Sequence, residues 1–262
     1  MKKIFLIFFT LKALFGAVHI VKVEPFEIYH IKAATSGQVV NSDISKESKV
    51  VNNYEIIKLD SNVEEENLKD LILKLKNTKE ILKSNKELLK NLKKLTDVKK
   101  DNYFRIKDLK TKSKFEKDAK LTDYLQTYNQ YLSQKEKIKS LLNQISDLKY
   151  NIARLKDTLS KKSIKVSGYV YKIYVKRGDF VNLGSPLVDI ADISKAKIVL
   201  YLDKNEMKDI EKKSIYIDGK KSNLKFYKLY KIADSVHITA YRAEIVLKSP
   251  KLFSKLIKVE VK

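Results

Sequence analysis

The sequence contains no cysteine and little proline, glycine, histidine or arginine. Without cysteine the chain can form no disulfide, no thiolate metal site, no cysteine nucleophile and no lipid-modified N-terminal cysteine. The three histidines, His19, His30 and His237, lie too far apart in the sequence to form a local metal motif. We therefore expect no metal, no cofactor and no covalent membrane anchor.

The scarcity of arginine argues against nucleic acid as a partner, although the chain is strongly basic. The formal net charge is +23, yet only four of the 55 basic residues are arginine. Arginine makes the bidentate contacts on which base and phosphate recognition largely depends. Lysine is spread along every segment together with Asn and Ile, which indicates a compositional bias more than a binding surface.

The N-terminus has the pattern of a secretory signal. A basic start at residues 1–3 precedes an apolar run at residues 4–11, and small residues follow at Gly16 and Ala17. The apolar segment is marginal in length for a bilayer span. Residues 1–17 are therefore predicted to be a signal peptide, and the mature chain is expected to be exported without a membrane helix of its own.

A stretch of about a hundred residues has no proline and no glycine, so nothing from residue 61 to residue 161 breaks a helix. Capping boxes that begin at Ser61 and Ser113 predict two helices, residues 62–111 and 114–161. Each would be about 70 Å long at 1.5 Å per residue. The two helices are predicted to form an antiparallel hairpin.

Both predicted helices carry a seam at steps of three and four residues, which is typical of a left-handed coiled coil. The first seam is expected to shorten its step through Leu95 and Val98, a local overwinding. A solvated coiled-coil spacer would explain these seams equally well. The other seam residues are Leu68, Leu71, Leu75, Thr78, Leu82, Asn85, Leu89 and Leu92 on the first helix, and Ile138, Leu141, Ile145, Leu148, Ile152, Leu155 and Leu159 on the second.

An internal repeat flanks the helical stretch. The sequence of residues 36–60 aligns without a gap with that of residues 167–191, at a constant offset of 131 positions. Asn53 falls on Gly184, and both residue types tolerate positive φ in a turn. The repeat predicts two halves of one pseudo-symmetric β-sandwich that close onto each other. Structural turns are predicted at four glycines: Gly37, Gly168, Gly178 and Gly184.

The second half resembles a motif of a known family. It has a Ser-Gly-x-Val start at Ser167, a Gly-Asp-x-Val turn at Gly178 and a Gly-x-Pro-Leu stretch at Gly184. These resemble the lipoyl or biotinyl-type half-motif of bacterial periplasmic adaptor proteins, also called membrane fusion proteins of the HlyD type. The resemblance implies an α+β fold, in which a long antiparallel coiled-coil α-hairpin is inserted into a split lipoyl-like β-sandwich and a small β-barrel follows.

The resemblance also implies the domain organisation. A carrier of biotin or lipoate is excluded, because carriers present their lysine on the connection between the halves, which the helices replace here. The first half departs from the family pattern, with Glu47 and Ser48 where Gly-Asp is usual. The expected domains are a split lipoyl-like domain of residues 18–60 and 162–191, the hairpin of residues 61–161, and a β-barrel of residues 192–262.

The function that the resemblance implies is mechanical coupling and sealing, without enzymatic chemistry. Such an adaptor links an inner-membrane transporter to a TolC-like outer-membrane channel in the periplasm of a Gram-negative bacterium, as several copies, with a hexamer expected. With neither a membrane helix nor a lipid anchor expected, a transporter of the resistance-nodulation-division type is favoured.

Three residues near the predicted hairpin turn are candidates for docking. In similar adaptors an Arg, a Leu and a Ser contact the channel, with three residues between the first two and six between the last two. Arg105 and Leu109 keep the first spacing, whereas Ser113 follows Leu109 after only three residues. A solvated charge, a seam residue and a helix N-cap would explain the three equally well.

Charge favours an acidic partner at this turn. Residues 93–120 carry a net charge of +6, more than half of the +10 carried by residues 62–161. One alternative function is therefore an exported basic coiled-coil protein that binds acidic surface polymers or anionic lipid. An enzyme with an inserted hairpin is a weaker alternative, because the sequence offers no set of nucleophile, base and orienting residue.

Overall fold

The computed structural model describes residues 17–233 and 237–262, so the predicted signal peptide, apart from Ala17, lies outside the described residues. The chain is a mixture of helix and strand. In chain order the elements are β1 (Val18–Lys22), β2 (Glu24–Lys32), β3 (Gly37–Ser42), β4 (Val50–Leu59), α1 (Asn62–Ile106), α2 (Lys114–Lys162), β5 (Ser163–Ile173), β6 (Phe180–Val181), β7 (Pro186–Leu202), α3 (Lys204–Met207), β8 (Ile215–Ile217), β9 (Lys220–Lys221), β10 (Phe226–Ala233), β11 (Tyr241–Lys248) and β12 (Leu256–Val261).

The described residues fall into two compact units. The helical unit contains residues 34–38 and 58–164, and the β unit contains most of the remaining residues. The predicted long helical hairpin is confirmed, with 45 residues in α1 and 49 in α2. The first helix ends at Ile106, five residues before its predicted end, and the second ends within one residue of its prediction.

The hairpin is held by an apolar seam whose centre is buried. Leu82 of α1 packs with Ile138, Leu141 and Ile145 of α2. A polar layer follows toward the tip, where the side-chain amide of Gln134 donates to the Asn85 side-chain oxygen at 2.8 Å. This bond fixes the register of the two helices, because a shift would leave the buried amide of Gln134 without its partner.

The predicted overwinding of α1 is wrong. Leu95 and Val98 are 45% and 55% exposed, whereas Thr96 is buried in the seam. The Thr96 hydroxyl donates to the Leu92 carbonyl at 2.7 Å, and the next seam position, Lys99, pairs with Asp123 of α2. The seam therefore keeps its regular steps by accepting polar residues, because a regular repeat keeps the two helices in contact along their length.

The capping box predicted at Ser61 is also wrong. Ser61 makes no side-chain capping bond to the helix, and its hydroxyl donates to the Glu65 carboxylate at 2.7 Å. Glu64, the expected acidic partner, is paired with the ammonium of Lys162 at the end of α2. Lys162 is 8% exposed and also donates to the Asp60 carbonyl at 2.8 Å. A buried ammonium needs such partners, and Glu64 is drawn to it.

The β unit contains two sheets. One has the order β10-β11-β7-β5-β4-β3-β6, with β2 also paired to β7, and the other has the order β1-β12-β8-β9. The long strand β7 continues through residues 191 and 192, where a domain boundary is predicted. Its C-terminal half lies in a buried core with side chains of both sheets: Val23, Ala196, Ile198, Leu200, Leu202, Ile210, Ile215, Ala243, Ile245, Ile257, Val259 and Val261.

Backbone hydrogen bonds join the two halves of the repeat. Val39 of the first half donates to the Asp179 carbonyl and accepts from the Gly178 N–H, both at 2.8 Å. Val170, its counterpart in the second half, makes the equivalent two bonds to residues 48–49 of the first half, both at 2.9 Å. The two segments therefore close onto each other reciprocally, as the repeat predicts.

The repeat is not gapless in three dimensions. Ser48 has φ of 63° and takes the bonding role of Gly178, which has φ of 98°, so these two are related by 130 positions. Asn53 and Gly184, with φ of 44° and 85°, keep the offset of 131. The turn at Ser48 in the first half is thus displaced by one residue relative to the turn at Gly178 in the second half. The hydrogen bonds to Val170 decide which residue of the first half adopts positive φ.

Two of the four predicted turn glycines lie outside the strands, and the other two lie within strands. Gly37 begins β3 and Gly168 lies inside β5, so neither is at a turn. Gly178 and Gly184 lie outside the strands and have positive φ. Gly168 has φ of 126°, and a Cβ there would lie 2.7 Å from Cγ2 of Ile190. Glycine is therefore required at this position for two reasons: the backbone has positive φ, and a side chain would clash with Ile190.

Replacing Gly168 by Ala should destabilise the β unit more than replacing Gly178 by Ala. Both changes introduce strain at positive φ, of about 1 to 2 kcal/mol, and only the first adds a clash, of about 1 to 3 kcal/mol. A Cβ at Gly178 meets no atom within 4 Å. Urea unfolding followed by tyrosine fluorescence would measure the difference. Equal losses in the two variants would contradict the packing role of Gly168.

Replacing Glu64 by Gln should lower the free energy of unfolding at pH 7 by about 1 to 2 kcal/mol. The hydrogen bond from Lys162 lowers the pKa of Glu64 from its ordinary value of 4.5. The stabilisation is thus present above pH 4.5 and is lost as the pH falls through the lower folded pKa. Unfolding curves of the two proteins should converge in acid.

The matched control is Glu66→Gln, because Glu66 is exposed and its one ion pair among the described residues is with the exposed Lys69. This control should leave stability at pH 7 nearly unchanged. A loss from Glu66→Gln as large as that from Glu64→Gln would show that general charge, and not the buried pair, is responsible.

Candidate functional site

The hairpin tip is a short turn between the two long helices. The turn comprises residues 107–113, and the tip as named here also includes the last turn of α1 and the first turn of α2. The Lys107 N–H still donates to the Tyr103 carbonyl at 3.0 Å, and the Leu109 N–H donates to the Ile106 carbonyl at 3.1 Å. The turn is therefore a tightened continuation of α1, which explains why α1 ends earlier than its sequence predicts.

The second helix begins with the predicted capping box, which is confirmed. The Glu116 N–H donates to the Ser113 hydroxyl at 3.2 Å, and the Ser113 N–H donates to the Glu116 carboxylate at 3.0 Å. The Glu116 carboxylate also accepts from the Lys112 ammonium at 3.1 Å. The bond from the Ser113 backbone N–H, followed by that from Lys112, lowers the pKa of Glu116 from its ordinary value of 4.5. The box fixes where the chain reverses, and so which residues form the tip.

The three predicted docking residues all lie at this tip and all are exposed. Arg105 is in the last turn of α1, Leu109 lies in the turn with 46% of its surface exposed, and Ser113 is the N-cap of α2. None of the three is joined to another by a hydrogen bond or ion pair among the described residues. Leu109 is not a seam residue, so packing within the hairpin does not explain why an apolar residue stands at this position.

Two aromatic residues that the sequence analysis missed are also exposed at the tip. Phe115 is 83% exposed and Phe104 is 48% exposed. The Phe104 ring lies under the ammonium groups of Lys107 and Lys100, at 4.6 and 5.9 Å from its centroid. The sequence did hold a signal for Phe115: it stands two residues after the N-cap Ser113 and does not belong to the seam of α2.

The tip combines these apolar groups with positive charge. Lys112 pairs with Glu116 at 3.1 Å and Lys107 pairs with Asp108 at 3.8 Å, both at exposed positions. These pairs leave an excess of lysine at the tip, because residues 93–120 carry a net charge of +6. Exposed apolar side chains surrounded by lysine form a surface suited to a protein partner with acidic and apolar groups.

Other polar clusters lie in the β unit. His30 in β2 pairs with the buried carboxylate of Asp189 at 2.7 Å, and Tyr174 donates to the same carboxylate at 2.7 Å. His19 pairs with Glu206 at 2.6 Å. Within residues 17–233 and 237–262, no group of three or more His, Asp or Glu side chains could hold a metal ion. No helix in this part of the chain is long and apolar enough to cross a membrane.

The sequence matches no protein-family model and no curated protein. The fold, in contrast, is similar to those of solved structures. The crystal structure of MacA from Actinobacillus actinomycetemcomitans is similar with a TM-score of 0.63 and 17% identity, over 95% of this chain and 79% of that chain. This chain has the fold of periplasmic adaptor proteins, or membrane fusion proteins.

Two further structures share the adaptor fold. A MacA-MexA chimera that contains the Pseudomonas aeruginosa MexA α-hairpin domain has a TM-score of 0.59 and 14% identity, over 94% of this chain and 80% of that chain. The membrane fusion protein Spr0693 from Streptococcus pneumoniae R6 has a TM-score of 0.54 and 10% identity, over 94% and 99%. The family resemblance predicted from the sequence is confirmed at the level of fold.

Replacing Ser113 by Ala should lower the stability of the hairpin by about 1 kcal/mol, because the N-cap oxygen is lost. Replacing it by Asp should preserve stability, since aspartate also caps helices. Helix melting by circular dichroism would measure both. If Ser113→Asp loses as much as Ser113→Ala, capping is not what Ser113 contributes to the adaptor fold.

Proposed function

We propose that this chain is a periplasmic adaptor subunit of a tripartite efflux or secretion system. It couples an inner-membrane transporter to a TolC-like outer-membrane channel and performs no chemistry itself. The observation that carries the proposal is the adaptor fold over nearly the whole chain, together with a hairpin tip that exposes Leu109 and Phe115 without a packing role in the hairpin. Large exposed apolar groups at such a position favour contact with a partner.

Within this proposal each part has a role. The hairpin tip docks onto the channel through Arg105, Leu109 and Ser113, and Phe104 and Phe115 enlarge the apolar part of this contact. Residues 18–60 and 162–191 act as the split lipoyl-like unit, which the reciprocal bonds of Val39 and Val170 support. Residues 192–262 act as the β-barrel domain, supported by the core between the two sheets.

The assembly and location also belong to the proposal. Several copies, with a hexamer expected, surround a passage in the periplasm of a Gram-negative bacterium. The transporter is proposed to be of the resistance-nodulation-division type, as expected in the sequence analysis. Export would depend on the predicted signal at residues 1–17.

Charge supports a second function, the binding of acidic surface polymers or anionic lipid. The chain carries a net charge of +23. Binding of this kind would weaken steeply with salt and would not depend on any particular side chain at the tip. Docking to a channel, in contrast, requires Leu109 and Phe115 in particular, so the two functions are separable by mutation.

Replacing Leu109 by Asp, or Phe115 by Asp, should abolish export by the complete system while leaving helix content unchanged. The physical reason is that a carboxylate at the docking surface must be desolvated without a partner. The measurement is the resistance of the producing cell to the exported compound, with each variant expressed in place of the wild-type chain.

A Cys introduced at Ser113 should form cross-links to the coexpressed channel.

The matched control is Leu73→Asp. Leu73 is 55% exposed on α1, far along the chain from the tip, and should tolerate the change. Full resistance in the Leu109 and Phe115 variants would remove the tip from the mechanism. Binding of acidic polymer that is lost in salt but unaffected by both changes would favour the second function.

A further inference from the structure

A cavity opens in the β unit where the chain passes from one sheet to the other at Val23. Before this point, β1 pairs with β12, with Lys22 opposite Leu256. After it, β2 pairs with β7, beginning with Glu24 opposite Lys197. Past this pair β7 continues beside β11, whereas β1 lies in the other sheet. The space between the parting strands is a cavity of about 370 Å³, which we call the fork cavity.

Both walls of the fork cavity carry charged or polar side chains. Lys22 and Glu24 line it from the segment that joins β1 to β2. Tyr201 of β7 and Arg242 of β11 line it from the other side, directly opposite each other in the strand pair. The remaining lining residues are the apolar Ile20, Val21 and Val199. A few polar groups that converge on a partly apolar cavity of this size are typical of a small-molecule site.

Two of the charged side chains have no role in holding the fold together. Neither Lys22 nor Glu24 takes part in an ion pair or a side-chain hydrogen bond among the described residues. Residues two apart along an extended chain are separated by about 7 Å and point to the same side. One ammonium and one carboxylate are therefore presented to the same cavity without neutralising each other by direct contact.

Arg242 has hydrogen-bonding capacity that the fold leaves unfilled. Its guanidinium pairs with the buried Glu244 carboxylate at 2.6 Å and lies 5.3 Å from the ring centroid of Tyr230. Its Nε atom is buried and has no hydrogen-bond partner among the described residues. A buried donor without an acceptor is costly. An acceptor bound in the fork cavity, toward which the guanidinium could turn, would remove this cost.

The charges around the cavity favour a ligand that carries both signs. Lys22 and Arg242 are balanced by Glu24 and Glu244, so a simple anion gains little from the site as a whole. A zwitterion can place its anionic group at Lys22 and Arg242 and its ammonium at Glu24, which forms charge-assisted hydrogen bonds at both ends. The spacing of Lys22 and Glu24 favours a zwitterion whose charges are several bonds apart over an α-amino acid, in which they are close together.

The mouth of the fork cavity continues into exposed apolar side chains. Ile20, which lines the cavity, is 66% exposed, and Val18 on the same face of β1 is 55% exposed. Leu256 of β12, opposite Lys22, extends this face and is 64% exposed. Contiguous exposed apolar groups indicate a contact surface. Their position beside a charged cavity suits a zwitterion that carries an apolar tail.

We propose that the fork cavity binds a phosphoethanolamine group, with its phosphate at Lys22 and Arg242 and its ammonium at Glu24. The chemistry recognised is a phosphate oxyanion and a primary ammonium joined by a short carbon chain. This group exists as a free zwitterion and as the headgroup of phosphatidylethanolamine, and the apolar face at Ile20 favours the lipid. The inference goes beyond the proposed coupling function and does not depend on it.

The first test is calorimetric titration of the purified chain with phosphoethanolamine. Glu24→Gln and Lys22→Gln should each weaken binding about tenfold or more, because each removes a charge-assisted hydrogen bond. Phosphocholine should also bind about tenfold more weakly, since its quaternary ammonium has no N–H to donate to Glu24. Lys220→Gln, which changes an exposed lysine of β9 outside the cavity, is the matched control and should bind as the wild-type chain does.

The second test separates the lipid from the free group. In co-sedimentation, the chain should bind phosphatidylcholine vesicles that contain phosphatidylethanolamine in preference to vesicles of phosphatidylcholine alone, and Glu24→Gln should remove this preference. Ile20→Ser should weaken vesicle binding and leave the affinity for phosphoethanolamine unchanged, because Ile20 contacts only the apolar part of the lipid. Binding of the free group without any preference among vesicles would identify the free zwitterion as the ligand.

Three results would overturn the proposal. The first is no binding in either test, and the second is binding that Glu24→Gln leaves unchanged. The third is vesicle binding that requires phosphatidylglycerol and disappears in salt, as expected for a function that depends on net charge alone. None of these results concerns the hairpin tip. Leu109→Asp and Phe115→Asp should abolish export without changing the affinity for phosphoethanolamine, so the two proposals fail independently.

Discussion

The reciprocal backbone hydrogen bonds at Val39 and Val170 are the constraint on which the rest of the structure depends. Each valine exchanges two bonds with a turn of the opposite half, at 2.8 to 2.9 Å. Because the halves are separated by more than a hundred residues, the intervening chain has to leave the β unit and return to it. Two helices of nearly equal length, 45 and 49 residues, meet that requirement with one reversal. The hairpin is thus a consequence of closing the sheet as much as of helix propensity.

In the seam of the hairpin, the regular spacing of the contacts decides which side chains are buried, even where apolar residues stand next to polar ones. Thr96 and Asn85 occupy seam positions although apolar residues stand nearby, and both satisfy their polar groups by hydrogen bonds. Leu95 and Val98 are displaced to the surface of α1. The spacing that keeps the two helices in contact therefore decides which of these side chains are buried and which are exposed.

The tip and the base of the hairpin meet different physical demands. At the base, Lys162 is buried and is satisfied by Glu64 and a backbone carbonyl, so this end is fixed by a pair that loses its stabilisation in acid. At the tip, Leu109 and Phe115 are exposed and nothing in the hairpin covers them. The buried pair at the base and the apolar exposure at the tip fit the coupling function that we propose.

The sequence by itself determined the features that depend on local bonds and chain composition. The absence of proline and glycine gave two long helices, the box at Ser113 placed their reversal, and the repeat indicated that two β segments pair. The candidate docking residues at that reversal, Arg105, Leu109 and Ser113, came from the resemblance to adaptor proteins. Tertiary structure alone decided that Thr96 is buried and Leu95 exposed, that Ser48 takes positive φ, and that Phe115 is exposed. These outcomes depend on which surface each side chain meets, and that surface comes from residues distant in the sequence.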